Sequence, residues 1–149
     1  MDGILRKLPI GIQTFEKLRE GDYLYVDKTA LVWRIASTET PYFLSRPRRF
    51  GKSLLLSTFE AYFEGKKELF EGLAIADMEK EWKTYPVFHL DLNAEKYDSP
   101  QALVEILSRQ LTQWELKYGK GEDEETLSGR FAGVIRRASE QADRGVVVL

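Results

Sequence analysis

The stretch Pro41-Tyr-Phe-Leu-Ser-Arg-Pro-Arg-Arg-Phe-Gly-Lys-Ser53 decides how the rest of the chain is interpreted. It begins with a short apolar run, continues as a basic loop (residues 46–52), and reaches Gly51-Lys52-Ser53. Leu54-Leu-Leu-Ser-Thr58 then continues as a predicted amphipathic helix. Strand, loop, Gly-Lys-Ser and helix is the order of parts in a phosphate-binding P-loop. The sequence therefore predicts a phosphate site at the start of that helix.

The basic loop departs from the P-loop pattern at its first position. The pattern G-x-x-x-x-G-K-[ST] places a glycine at position 46, where this chain has Arg46. Pro47 has no N–H to donate, and it biases Arg46 towards an extended conformation. The loop entry is therefore expected to be stiff, and Arg46, Arg48 and Arg49 to attract anions or to contact a neighbouring strand or subunit.

A nucleoside triphosphate carries several negative charges and requires converging donors. The N–H groups of a loop that leads into a helix N-terminus supply them. In this interpretation Gly51 permits close backbone approach, Lys52 reaches the outer phosphates, and Ser53 is the ligand of Mg²⁺. The expected cofactors are ATP and Mg²⁺, and no catalytic residue is predicted. The predicted nucleotide-binding residues are Arg48, Arg49, Phe50, Gly51, Lys52, Ser53 and Leu54.

Composition restricts the class of protein. The chain has 149 residues, of which 43% are hydrophobic and 31% charged, a balance typical of a globular domain. Its net charge of -2 argues against nucleic-acid binding by bulk charge. The absence of cysteine excludes disulfides and thiol chemistry and suits the cytoplasm, which is the expected location. No signal-peptide core or membrane-spanning run is present in the sequence, so no membrane partner is expected.

The order of predicted elements favours an α/β fold. Helices are predicted at 14–20, 27–36, 52–63, 99–118 and about 127–142, with short helical pieces between 66 and 82. Apolar runs at 41–44, 86–92 and 145–149 read as strands, so that βαβ units would form a mainly parallel sheet. Residues 1–149 are interpreted as one domain, with a lead-in segment at 1–40 and the first part of a P-loop core at 41–149, cut short at its C-terminal side.

Three segments together resemble one bacterial family. They are Leu8-Pro-Ile-Gly-Ile-Gln-Thr-Phe-Glu-Lys-Leu-Arg19, Tyr25-Val-Asp-Lys-Thr29 and Phe43-Leu-Ser-Arg-Pro-Arg-Arg-Phe-Gly-Lys-Ser-Leu54. Their order is similar to that in the AAA-ATPase-like family, in which the Arg-Pro-Arg-Arg-Phe-Gly-Lys-Ser loop is the Walker A motif. The resemblance implies a P-loop NTPase fold, a three-layer α/β/α sandwich. It also implies a PD-(D/E)XK nuclease-like domain in many members, with no such domain within this chain.

The resemblance also suggests where other parts of the site lie. Val146-Val-Val-Leu149 resembles the start of a Walker B strand, whose acidic residues would follow Leu149. Residues 1–149 are then expected to bind ATP without hydrolysing it appreciably. The same resemblance makes Ile10, Gly11 and Phe15 candidates for the adenine side of the site.

Other interpretations stay open at this point. The basic loop 46–52 could serve a non-enzymatic nucleic-acid or protein-binding module, with Phe50 stacking on a base, or it could be a degenerate scaffold. Asp91 is read as a structural residue at a strand end, with Mg²⁺ or nucleotide binding as the alternative. His89 is read as a half-buried structural residue because no Cys or second His could share a metal.

The expected partners are a nucleotide and a second copy of the chain, which could cover an open sheet edge at 146–149. Nucleic acid would bind only through the basic loop or a further C-terminal domain.

Overall fold

The structure is a computed structural model that describes residues 5–92 and 98–149. These residues divide into two compact units, one ending at Thr84 and the other beginning at Tyr85. In the described ranges the two strands are β1 (Val87–Phe88) and β2 (Val147–Val148), and residues 67–70 form a short 3-10 helix. The α-helices are α1 (Phe15–Glu20), α2 (Thr29–Ala36), α3 (Lys52–Phe63), α4 (Ala74–Met78), α5 (Pro100–Tyr118) and α6 (Leu127–Ala142).

Local signals in the sequence account for the long helices. The Ser99 hydroxyl accepts a hydrogen bond from the Ala102 amide at the start of α5, and Pro100 occupies the first turn, where no N–H is required. The Thr126 hydroxyl accepts in the same way from the Gly129 amide at the start of α6. Gly119 follows the last residue of α5. The structure contains α3, α5 and α6 where the sequence predicts helices, so these three predictions are confirmed.

The first unit is a set of short helices around an aromatic and aliphatic core. Helix α1 packs on α3, and α2 packs on α4. Phe15 and Phe70 are fully buried, with ring centroids 4.7 Å apart. Val32 of α2 is buried, whereas Leu31 of the same helix is 54% exposed. This unit carries the basic loop and helix α3.

The second unit is a helical hairpin packed on the two strands. Helices α5 and α6 contact each other along their apolar faces, and Phe88 of β1 packs on Trp114 of α5. The strands are parallel, with Val87 opposite Val147 and Phe88 opposite Val148. The buried core of this unit consists of Phe88, Leu111, Trp114, Val134 and Ala138. Oligomerisation through an open edge at β2 stays a prediction.

The predicted three-layer α/β/α sandwich is wrong for this structure. The described residues are helix-rich, and their sheet has two parallel strands of two residues each. The predicted strand at 41–44 is irregular and exposed throughout. The Tyr42 hydroxyl lies 2.8 Å from the Thr38 hydroxyl, and no strand in the described ranges pairs with this segment. An apolar run becomes a strand only where neighbours satisfy its backbone and cover its faces. Among the three predicted runs, only residues 87–88 and 147–148 have a neighbouring strand to pair with.

Candidate functional site

The basic loop reaches helix α3 through two residues with left-handed backbone. Arg49 has φ of 67° and Gly51 has φ of 77° with ψ of 20°. A Cβ at Gly51 would meet nothing within 4 Å, so the backbone conformation, rather than lack of space, requires glycine there. A left-handed backbone is uncommon for a residue with a side chain, and Arg49 therefore marks a strained position in the loop.

Helix α3 presents an uncapped N-terminus at this point. Its N-cap residue, Gly51, has no side chain, and no side chain caps the first turn. The first N–H groups of any helix lack partners within that helix and carry a partial positive charge. A left-handed residue followed by a right-handed one, here Gly51 and Lys52, turns successive N–H groups towards one side. The start of α3 therefore has the backbone geometry of an anion-binding concavity.

Lys52 turns back onto the loop that precedes it. Its Nζ donates to the carbonyl oxygen of Arg46 at 2.5 Å and to that of Pro47 at 3.3 Å. Among residues 5–92 and 98–149, no carboxylate lies within ion-pair distance of this ammonium. Lys52 is therefore a cation held by neutral carbonyl groups at the entry of the basic loop.

The remaining charges of the basic loop are exposed. Arg46, Arg48 and Arg49 are all exposed, and none forms an ion pair with another residue of the described ranges. Phe50, between Arg49 and Gly51, is 62% exposed. Cations without acidic partners give this loop a local positive charge, although the net charge of the chain is -2.

Ser53 and Leu54 occupy the first turn of α3. Ser53 is exposed, and its hydroxyl has no hydrogen-bond partner in the described part of the chain. The carbonyl of Leu54 accepts from the hydroxyls of Ser57 at 2.8 Å and Thr58 at 2.7 Å. Ser53 therefore offers a free oxygen of the kind that Mg²⁺ prefers, whereas Leu54 can contribute only its amide.

Ser57 of α3 makes a hydrogen bond to the lead-in segment, and this contact was not predicted from the sequence. Its Oγ accepts from the amide of Phe15, the first residue of α1, at 2.9 Å, and donates to the Leu54 carbonyl. A serine within an apolar helix could have indicated such a contact, because its hydroxyl must find a hydrogen-bond partner. Through Ser57, in the second turn of α3, the start of α1 is held against this helix.

Asp27 joins the starts of α2 and α4 in the first unit. Its Oδ1 accepts from the Thr29 amide at 2.9 Å and from the Thr29 hydroxyl at 2.6 Å, and its Oδ2 accepts from the Ala74 amide at 2.7 Å. Burial raises the pKa of Asp27, but the hydrogen bonds from Thr29 and Ala74 outweigh it and hold that pKa below its ordinary value. Asp27 directly precedes the N-cap residue Lys28, and its carboxylate accepts from the amide of the first residue of α2.

The candidates for the adenine side have different exposures. Phe15 is fully buried in the core and has no surface to offer a base, so that prediction was wrong. Ile10 is 87% exposed, and Gly11 has φ of 75° in the turn that follows it. The turn at residues 8–12 is held by the amide of Ile10 donating to the Leu8 carbonyl at 2.9 Å.

Asp91 and His89 lie in the second unit, just beyond β1. Asp91 is exposed and His89 is half-buried. The burial of His89 agrees with its prediction, whereas the role of Asp91 stays a prediction. In the ranges that the structure covers, no group of three acidic, His or Cys side chains could hold a metal ion. No helix in those ranges combines the length and the apolarity that a membrane span requires.

Comparison with known proteins identifies the family. A family model described as "Predicted AAA-ATPase" matches residues 9–149. The chain belongs to this AAA-ATPase-like family. It is 41% identical over 145 residues to the "Uncharacterized protein in vnfD 5'region" of Azotobacter chroococcum mcd 1, a match that covers 97% of this chain. The chain spans 28% of the length of that relative. None of the solved structures matches the chain.

Proposed function

We propose that this AAA-ATPase-like chain binds ATP at the basic loop and the start of α3. The observation that carries the proposal is the uncapped N-terminus of α3, preceded by Gly51 in the left-handed region and by three exposed arginines. Helix N-termini of this kind bind phosphate because free N–H groups and the helix dipole both favour negative charge. Family membership supports a nucleoside triphosphate as the anion.

The residues of the loop contribute to the proposed binding of ATP in different ways. The amides of Gly51, Lys52 and Ser53 donate to phosphate oxygens, and the Lys52 ammonium contacts the outer phosphates. Mg²⁺, when bound, offsets the charge of the triphosphate, and the Ser53 hydroxyl is the protein group that fits it best. Arg48 and Arg49 add positive charge at the rim. Binding of ATP, with no catalytic residue assigned, is what we propose for the described residues.

The proposal is tested by titrating Mg-ATP against the wild-type chain and Lys52→Ala. Loss of a charged hydrogen-bond donor to phosphate is expected to weaken binding by about tenfold or more. Lys67→Ala is the matched control, because Lys67 is exposed and makes no ion pair within the described residues. It should bind as the wild type does. Equal affinities for all three proteins would contradict the proposal.

A second candidate function is the binding of single-stranded nucleic acid by the same loop. The exposed ring of Phe50 beside unpaired arginines favours it, because base stacking on an aromatic ring combined with a basic surface binds such strands. This function predicts oligonucleotide binding that weakens steeply with salt and that excess Mg-ATP does not displace. Displacement by Mg-ATP would instead assign the loop to nucleotide.

A further inference from the structure

Two extended parts of the lead-in segment lie side by side in the first unit. Lys7 and Tyr23 form an isolated parallel β-bridge, and the Leu24 amide donates to the Lys7 carbonyl at 2.8 Å. Exposure alternates along residues 22–26, as expected for an extended segment that has one side covered. Tyr25 is on the covered side, with its ring centroid 5.4 Å from that of Phe15. The even-numbered side chains of this segment therefore point outward.

The outward side of this pair of segments is aliphatic. The lead-in face consists of Leu8, Ile10, Leu24 and Val26, which are between 46% and 87% exposed. The register of the bridge places Leu8 opposite Leu24. A two-stranded pairing is marginally stable in water, and exposed apolar side chains grouped beside a polar rim are typical of an interaction surface. The part of the chain that the structure describes leaves this face uncovered.

The rim of the lead-in face carries one charge of each sign. Arg6 Nε lies 3.1 Å from Asp22 Oδ1, and the two side chains are 50% and 70% exposed. In a contact with two-fold symmetry, the same surface of both copies meets itself. A second copy can then bring aliphatic side chains against aliphatic side chains, and its Asp22 against Arg6. The basic loop, in contrast, presents charges of one sign, which repel a second copy.

We propose that two copies of this chain associate through the lead-in face, around a two-fold axis. Four aliphatic side chains at on the order of 100 Å² each supply roughly half of the area that one partner contributes to a standard interface. We therefore expect a weak dimer, with a dissociation constant in the micromolar range. The contact depends neither on the proposed ATP binding nor on the sheet edge at β2.

The contact is tested by sedimentation velocity over a concentration series that reaches about 200 μM. The wild type should pass from monomer to dimer. Val26→Asp places an unpaired charge in both halves of the contact and should raise the dissociation constant by about a hundredfold. Leu8→Asp should do the same, and it decides the test if Val26→Asp does not fold by circular dichroism. Val148→Asp is the matched control, because Val148 is 52% exposed on β2 of the other unit.

Three results would overturn the proposal. They are a wild type that stays monomeric throughout the series, folded aspartate variants of the lead-in face that dimerise as the wild type does, and a dimer that only Val148→Asp dissociates. The last result would assign the contact to the β2 edge instead.

The two-fold arrangement is tested by exchanging the charges of the rim. Arg6→Asp makes both rim positions acidic and Asp22→Arg makes both basic, so each variant alone should dimerise more weakly than the wild type. In an equimolar mixture of the two variants, opposite charges meet across the contact at both ends. The mixed dimer is therefore expected to be about tenfold tighter than either variant alone. A mixture that associates no more tightly than its components would overturn this arrangement.

Discussion

Two groups of arginines, one in each unit, differ in whether they have carboxylate partners. In the second unit, Arg130 of α6 donates to both carboxylate oxygens of Glu115 on α5, each at 2.8 Å. Arg137 likewise donates to both oxygens of Glu124, at 2.7 Å and 3.0 Å. In the first unit, the arginines of the basic loop are exposed and have no carboxylate partner among the described residues.

This difference separates charges that hold the fold from charges that are free to bind. The Glu115 and Arg130 side chains are 6% and 12% exposed, and Arg130 also donates to the Ser108 hydroxyl at 2.7 Å. Such a pair resists separation because each partner would be left as a poorly solvated charge. The loop arginines are solvated and can exchange water for an anion at little cost. Pairing, rather than residue type, therefore distinguishes the two groups.

The largest effect is expected from removing one partner of the buried pair. Arg130→Met leaves the Glu115 carboxylate buried without its donor, so the free energy of unfolding should fall by about 3 kcal/mol in a denaturant titration. Arg136→Met, on the exposed side of the same helix, is the control and should change it by less than about 0.5 kcal/mol. Replacing both partners, as Glu115→Leu with Arg130→Met, should recover most of the loss. Equal stability of Arg130→Met and wild type would show that the pair is not structural.

A smaller effect, and on binding rather than stability, is expected in the basic loop. The double change Arg48→Gln and Arg49→Gln should leave the denaturation midpoint unchanged and weaken Mg-ATP binding by about tenfold at low salt. The difference should shrink at high salt because exposed charges are screened. The matched control is Arg34→Gln with Arg136→Gln, which removes two exposed arginines elsewhere. If this control weakens binding equally, overall charge rather than the loop attracts the nucleotide.

The smallest effect is expected on acidification. Hydrogen bonds from Arg130, against the opposing effect of burial, lower the pKa of Glu115, and those from Arg137 lower the pKa of Glu124, each from an ordinary value of 4.5. The unfolded chain then binds more protons in acid, so this stabilisation is complete above pH 4.5 and is lost as pH falls through the folded-state pKa values. Denaturation midpoints measured below that pH should decline less steeply for Arg130→Met than for wild type. Parallel declines would mean that the pairs do not shift these carboxyl groups.

The helices could be predicted from the sequence, whereas the sheet could be predicted only in part: the parallel strands within 86–92 and 145–149 are present, and the strand at 41–44 is not. The helix ends are set by Ser99, Thr126 and Gly119, whose hydrogen-bond partners lie at most four positions away. Their effect can therefore be recognised from the local sequence. The apolar runs at 41–44, 86–92 and 145–149 are similar in composition, yet only the last two pair with each other. Strand formation depends on a neighbour distant in sequence, and a local pattern does not contain that information.

The candidate site could be predicted only in part, because some of its features are local and others depend on how the chain folds back. Gly51, Lys52 and Ser53 follow from a short motif, and their place at the start of α3 was predicted correctly. The carbonyl partners of Lys52 could not be predicted, because they depend on how the loop folds back. Phe15 was misassigned to the nucleotide because an apolar side chain near a motif looks the same whether it is buried or exposed.

The sequence by itself determined the helix ends, the charge of the basic loop and the glycine that begins α3. These features act within a few residues, through caps, backbone preference and the dipole of one helix. The tertiary structure alone decided which arginines are paired, which apolar runs form strands and which aromatic side chains are buried. The Phe15–Ser57 hydrogen bond joins residues 42 apart in sequence, and contacts of that range exist only once the chain has folded.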